Sequence, residues 1–283
     1  MVYGSTLKMT APEKTGYTFK GWSRTSGSTG TLNSTTGDST YLCGAGAATL
    51  TAQWQINQYT ITLHALANKF DTNTYSENGL GGTVQIDSGA ANNKSTHATY
   101  NYNTTYTIKA AAYTGYKFEG WYTNPSLSGT AVSTSASYTT TLGASNITYY
   151  AKFSVQSYQI TVNPNGATGG TNLSGWYSAP GTAASAINGV TSSRTITMVY
   201  GSTLKMTAPE KTGYTFKGWS RTSGSTGTLN STTGDSTYLC GAGAATLTAQ
   251  WTAKVYTITY IPNGGSVTPT SDTFTIESAI NLP

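Results

Sequence analysis

Residues 1 to 54 recur without a change at 198 to 251, from Met1-Val2-Tyr3-Gly4 through to Ala52-Gln53-Trp54. Self-similarity on this scale marks a repeat architecture, in which each unit buries a small core and passes the chain to the next. A diverged copy lies between the two identical ones. Gly16-Tyr17-Thr18-Phe19-Lys20-Gly21-Trp22 and its duplicate at 213–219 are matched by Gly115-Tyr116-Lys117-Phe118-Glu119-Gly120-Trp121, in steps of 99 and 98 residues. The strand marker Tyr-x-Ile-Thr begins at Tyr59, Tyr158 and Tyr256 and gives the same two steps. The chain therefore divides into a trailing part-module (1–54), two complete modules (55–153 and 154–251) and a leading part-module (252–283). Met1 aligns with the interior strand residue Met198, and no signal-peptide pattern precedes it. The expectation is a segment of a longer polypeptide, or a subunit whose terminal half-modules are completed by neighbours.

Composition agrees with small cores. Only 9% of the 283 residues are charged and 37% are apolar, both below the usual share for a soluble domain. Polarity is carried by Thr, Ser, Asn, Gly and Tyr. No apolar run approaches the roughly 20 residues that span a bilayer, so no membrane insertion is expected in this segment. The net charge of +5 is scattered, without a basic cluster interleaved with aromatics, which argues against a nucleic-acid partner. Aromatics at 12% separate the chain from disordered polymers.

Strands dominate the local pattern. Tyr59-Thr60-Ile61-Thr62-Leu63, Ile147 to Phe153 and Ile196 to Tyr200 alternate larger apolar groups with mostly polar ones, as half-buried strands do. In Tyr17-Thr18-Phe19-Lys20-Gly21-Trp22, Trp22 falls out of phase with Tyr17 and Phe19, and Gly21 is the place for a bulge that returns it to the core. Asn165-Gly166 and Asn263-Gly264-Gly265 signal turns after the first strand. Thr182-Ala183-Ala184-Ser185-Ala186-Ile187 is the one stretch that suggests a turn of helix.

A Tyr-Thr-Ile-Thr strand, an Asn-Gly-Gly turn, a Gly-Tyr-x-Phe-x-Gly-Trp core and a closing Leu-Thr-Ala-Gln-Trp strand, taken as an ordered set, resemble the internalin-type B repeat, also called the Listeria-Bacteroides repeat. The resemblance covers nearly the whole chain, including Thr273 to Ser278 as a second strand. It implies a mainly β fold of tandem β-grasp-like modules in an elongated array, found in secreted and surface-anchored bacterial proteins. The sequence departs from that pattern at about 65–98 and 164–194, where two modules are longer than the last, and these insertions are expected to be where its function differs.

A site carried by every module should recur in all three copies, and no acid, base or ligand does. Lys20 faces Glu119, Glu13 faces Ala112, Lys14 faces Tyr113 and Asp38 faces Ser137, while the shared residues are Gly, Tyr, Phe and Trp. The same test weighs against a Lys–Asn crosslink. His64 and His97, near Asp71, Glu77 and Asp87 in sequence, match no metal-ligand spacing. Cys43 and Cys240 align with Leu142 and read as small hydrophobes in a core slot. No catalytic, cofactor-binding or metal-ligating residue is assigned, and no cofactor is expected.

The function expected is a non-enzymatic structural or adhesive segment of a secreted or cell-surface bacterial protein. Its partners would be neighbouring repeats of the same protein, a host or environmental protein, or a glycan. An alternative is a filament subunit joined head to tail through its incomplete terminal modules. Overlap of 273–283 with 1–12, which both supply the second strand, makes that complementation imperfect. A second alternative is a carbohydrate-binding array that uses exposed Tyr with Trp176-Tyr177 and Trp121-Tyr122.

Overall fold

A computed structural model describes residues 1–222 and 224–279. It divides into two compact units, one made of 1–66, 77–111 and 118–152, the other of 67–76, 112–117 and 153–283. The fold is mainly β, and among the described residues there is no helix.

The second unit holds the third repeat copy. In the strand Ser157–Asn163, Ile160 and Val162 are fully buried whereas Gln159 is exposed, the alternation a sheet with one dry face requires. This strand runs antiparallel to Arg194–Val199, with Ile160 opposite Ile196, and parallel to Ala245–Ala253, with Ile160 opposite Ala245 and Val162 opposite Leu247. Tyr214–Arg221 completes the four-stranded sheet on the far side of Ala245–Ala253. A second, antiparallel sheet orders Ile187–Val190, Thr171–Ser174, Thr203–Met206, Ser236–Leu239 and Thr228–Asn230. Apolar residues of both sheets form one cluster, in which Ile160, Val162, Ile196, Met198 and Leu247 meet Leu173, Leu204, Met206 and Tyr238. Each large aliphatic buried this way contributes roughly 1.5–3 kcal/mol.

The glycine of the Gly-Trp step does what its phase suggests. Register slips between Phe19 and Gly21 and between Phe216 and Trp219 turn the following Trp inward. Gly218 has φ 103°, and a Cβ on it would stand 2.5 Å from the Ser231 hydroxyl, which accepts the Trp219 N–H at 2.6 Å. Glycine alone suits both demands. Each motif Trp packs edge-on against its motif Phe, with centroids 5.7, 5.4 and 5.8 Å apart in the three copies. The Asn-Gly turns also form as read, with φ 54° and 78° at Asn165-Gly166 and 42° and 100° at Asn263-Gly264.

One expectation needs correction. Residues 182–187 are not helical. Thr182–Ala183 pairs with Tyr177–Ala179, and Ile187–Val190 joins the five-stranded sheet. Six residues are too few to hold a helix against the burial gained by Trp176 and Val190. The insertions contribute to the cores. That at 164–194 supplies Thr171–Ser174 and the buried Leu173, Trp176 and Val190. That at 65–98 supplies Gly82–Ile86 with the buried Val84 and Ile86.

The first unit holds copy one and most of the middle copy. Thr6–Met9, Ser39–Leu42 and Thr31–Asn33 form a three-stranded sheet, and Tyr17–Ser26 forms a two-stranded sheet with Thr49–Ile56 among the described residues. In the middle copy Ser137–Thr141, Thr105–Ala112 and Gly82–Ile86 form one sheet. The strand Gln58–Lys69 pairs antiparallel with Ser95–Asn101, from Gln58 opposite Asn101 to His64 opposite Ser95.

Candidate functional site: joints and open strand edges

Consecutive copies meet through one recurring arrangement, and each occurrence lies wholly within one unit. The N–H groups of Asn57, Gln156 and Lys254, each three residues past a closing aromatic, donate to the carbonyls of Gly16, Gly115 and Gly213 at 2.9, 2.8 and 2.8 Å. The chain then returns: Tyr102 and Tyr200 donate their N–H to the carbonyls of Asn57 and Gln156 at 2.8 and 2.9 Å. Their rings lie directly on Gly16 and Gly115, too close for any Cβ. These glycines have φ 77° and 84°, so conformation and space both select Gly. Each returning ring also meets the motif Tyr edge-on, Tyr17–Tyr102 at 6.1 Å and Tyr116–Tyr200 at 6.2 Å. At the third joint Ile276 replaces the tyrosine over Gly213. There the Tyr214 hydroxyl donates to Glu277 at 2.7 Å, which holds the phenol above its ordinary pKa. Lys14 and Lys211 lie over the rings of Tyr17 and Tyr214 at 3.9 and 4.2 Å. The middle joint gains a further contact, since Phe70 packs on Tyr177 at 5.3 Å and the buried Asn68 accepts the Val155 N–H at 2.8 Å.

Sequence reading missed this joint, although a signal was present. Tyr3, Tyr102 and Tyr200 each stand 13 residues before the Gly of the next Gly-Tyr-x-Phe motif.

The isolated candidates disperse. His64 contacts Glu77 through Nδ1 and stacks on Tyr150 at 5.0 Å. His97 sits opposite Thr62 on the neighbouring strand. Asp87 accepts from the Tyr100 hydroxyl at 2.6 Å and the Thr107 N–H at 2.7 Å. Burial, together with that carboxylate, pushes the Tyr100 phenol up to about 12. Among the described residues no three metal-ligating side chains gather. Cys240 occupies the core slot, where burial raises its thiol to about 12, and the matched Leu142 is buried too. Many tyrosines are structural. The Tyr106 and Tyr149 hydroxyls pair at 2.9 Å in the interior, and Tyr41 and Tyr238 donate to Ser28 and Ser225 at 2.7 and 2.8 Å. Trp121 and Trp176, expected to stack sugars, are buried at 0% and 3% exposure. Their rings belong to the cores, which removes them as a glycan platform.

What remains open is strand edge. Ala245–Ala253 is paired on both sides, by Tyr214–Arg221 and Ser157–Asn163, whereas its sequence twin Thr49–Ile56 is paired on one. Thr203–Met206 has two neighbours and Thr6–Met9 has one. Among the described residues Tyr256–Thr259 and Ser271–Phe274 pair only with each other, Tyr256 opposite Phe274. Met1 and Val2 are each 78% exposed, against 0% for Met198 and Val199.

A family model described as the divergent InlB B-repeat domain matches residues 1–58, 73–157 and 179–255. A protein of Evansella cellulosilytica, described as a Gly-rich membrane protein, is 26% identical over 261 residues, which is 92% of this chain and 24% of that protein. The chain thus spans about a quarter of that curated relative. Among solved structures, the Bacillus anthracis TIE protein superposes with a TM-score of 0.39 at 7% identity, covering 96% of this chain and 60% of that one. The major pilin T-13 of Streptococcus pyogenes gives 0.30 at 12%, covering 70% and 97%. A C-terminal fragment of the pilus adhesin SpaC of Lactobacillus rhamnosus GG gives 0.28 at 12%, covering 69% and 98%.

Proposed function

The chain belongs to the divergent InlB B-repeat family, and from that premise we propose that it is a non-enzymatic structural and adhesive segment of a bacterial cell-surface or extracellular protein. The observation that carries this reading is the joint. A glycine that accepts a backbone hydrogen bond from the residue after the closing strand recurs at all three joints, and tyrosine with a returning second bond at two of them, while positions such as Lys20 and Glu119 change from copy to copy. Constant joints with varied surfaces suit a chain whose work is to hold and present area rather than to transform a substrate. The matched segments support modules at 55–153 and 154–251 flanked by part-modules at 1–54 and 252–283. The parallel pairing of a copy's first and last strands, Ser157–Asn163 with Ala245–Ala253, supports a β-grasp-like description. Partners on this reading are neighbouring repeats of the same protein and an external protein or glycan.

Antibody raised against the segment should label intact cells of the producing bacterium as strongly as permeabilised ones. Labelling that needs permeabilisation overturns the surface role.

A further inference from the structure

In a chain with 9% charged residues, two lysines on one cleft without a carboxylate to meet them need an explanation. Positions 14, 113 and 211, each two residues before a joint glycine, hold Lys, Tyr and Lys. Positions 57, 156 and 254, each three residues past a closing aromatic, hold Asn, Gln and Lys. Only the third joint has lysine at both. Lys211 and Lys254 line a cleft of about 610 Å³, within the roughly 300–1,000 Å³ of small-ligand sites.

The cleft is built before any ligand arrives. Lys211 is half-buried, its ammonium 4.2 Å from the centre of the Tyr214 ring and 5.9 Å from that of Trp251. Trp251 is fixed in turn, its Nε1 donating to the Pro164 carbonyl at 3.2 Å and its ring 5.4 Å from Phe216. Lys211 spends one donor on a long hydrogen bond to the Asn165 carbonyl, 3.5 Å, and an ammonium has three. Neither Lys211 nor Lys254 pairs with a carboxylate among the described residues. Glu210 is the one acid on the wall among those residues, and its carboxylate lies against Gly169. Beside it the exposed hydroxyls of Thr168 and Thr212 stand 3.2 Å apart. The copy that follows has no long insertion to lay across the cleft. Tyr260 returns directly to Thr270, whose carbonyl accepts its N–H at 2.9 Å, whereas at the middle joint Tyr177 of the insertion 164–194 packs on Phe70.

We infer that this cleft binds a uronic acid residue of an acidic polysaccharide, with its carboxylate on Lys211 and Lys254 and its sugar ring beside Tyr214 and Trp251. This names the external partner of the adhesive reading and rests on it. Two ammonium groups select a carboxylate through charge-assisted hydrogen bonds, and a lysine already held on aromatic faces loses little freedom when it binds. Aromatic rings accept the C–H face of a sugar, and the threonine hydroxyls match its alcohols. An acidic peptide would satisfy the lysines and leave those hydroxyls without a use.

Isothermal titration of the 283-residue chain reads the binding, with trimers of galacturonate, glucuronate and mannuronate, the methyl ester of each, and hexaglutamate as probes. The expected result is one site per chain for at least one trimer, with its ester bound at least about tenfold more weakly. Lys211→Gln and Lys254→Gln should each weaken that trimer by about tenfold, equivalent to about 1.4 kcal/mol. Lys14→Gln, at the matching position of the first joint, should leave it unchanged. Lys254 is exposed, so its variant should keep the circular dichroism spectrum of the parent. Failure of all three trimers to bind, an ester bound as tightly as its acid, indifference to Lys254→Gln, or hexaglutamate bound as tightly as the best trimer overturns the assignment. A chain that fails these tests yet is labelled on intact cells loses the ligand and keeps the surface role. One that passes them but is labelled only after permeabilisation keeps the ligand and loses that role.

Discussion

The stretches 1–54 and 198–251 share every residue and differ in surroundings. Their local structure is nearly the same: Thr6–Met9 and Thr203–Met206, Ser39–Leu42 and Ser236–Leu239, Thr31–Asn33 and Thr228–Asn230 are equivalent strands with equivalent pairings. Tyr41 and Tyr238 are both buried, and so are Phe19 and Phe216. Burial elsewhere diverges. Leu204, Met206, Cys240 and Leu247 are enclosed, whereas Leu7, Met9, Cys43 and Leu50 are only half covered. Short-range sequence decides where the strands, bulges and turns fall, and the neighbouring strands decide how much apolar surface leaves water.

Truncation of equivalent leucines should separate the copies most. Leu204→Ala creates a cavity in a closed core and should cost about 2–5 kcal/mol of local stability. The same change at Leu7 should cost under about 1 kcal/mol, because its site is partly wet. Native-state hydrogen exchange of the two strand sets reads both numbers in one protein, and equal losses would break the comparison.

The joints come next. Gly115→Ala meets a flat Tyr200 ring at positive φ, whereas Gly213→Ala meets the end of the flexible Ile276 side chain at a similar φ. Strain of about 1–2 kcal/mol is common to both, so the excess at Gly115 measures the ring contact. Urea melts of the two variants should place Gly115→Ala clearly lower.

Alkaline titration sharpens the contrast at the cysteines. The Cys240 thiol titrates near 12 when folded against 9.0 for the free group. The unfolded chain therefore releases its proton first, and stability contributed by the neutral thiol is full below about pH 9 and declines as pH rises toward 12. Cys240→Leu, which installs the residue the middle copy uses at 142, should flatten that decline. Under native conditions a thiol-alkylating reagent should modify Cys43 and spare Cys240. Equal modification would show that the core slot opens readily.

Smallest of all, Lys14→Met and Lys211→Met should each cost about 0.5–1 kcal/mol through the lost cation–π contact. Double-mutant cycles with Tyr17→Leu and Tyr214→Leu resolve that term.

Much of the fold was legible because its signals are local. The phase error of Trp22 pointed to the Gly21 bulge, and Asn-Gly pairs pointed to turns at 165 and 263. The Ala-rich stretch 182–187 misled for the opposite reason, since its conformation is set by Trp176 and Tyr177 against the second sheet and not by its own propensity. Exposed sugar-stacking tryptophans failed likewise, because residue type does not report which face a bulged strand turns inward. The joint was hardest to see. Gly16 and Tyr102 lie 86 residues apart, and nothing near either one announces the other. Only the constant spacing of 13 residues from each returning tyrosine to the following motif glycine links them.

That spacing has a consequence for how such a gene can change length. The glycine and the tyrosine of a copy belong to two different junctions, one shared with the copy behind and one with the copy ahead. An in-frame duplication or deletion of one period within 1–251, wherever its breakpoints fall there, restores a complete tyrosine-on-glycine pair at the new seam. Copy number is thereby uncoupled from interface invention, and the unaltered recurrence of 54 residues is the kind of scar such lengthening leaves.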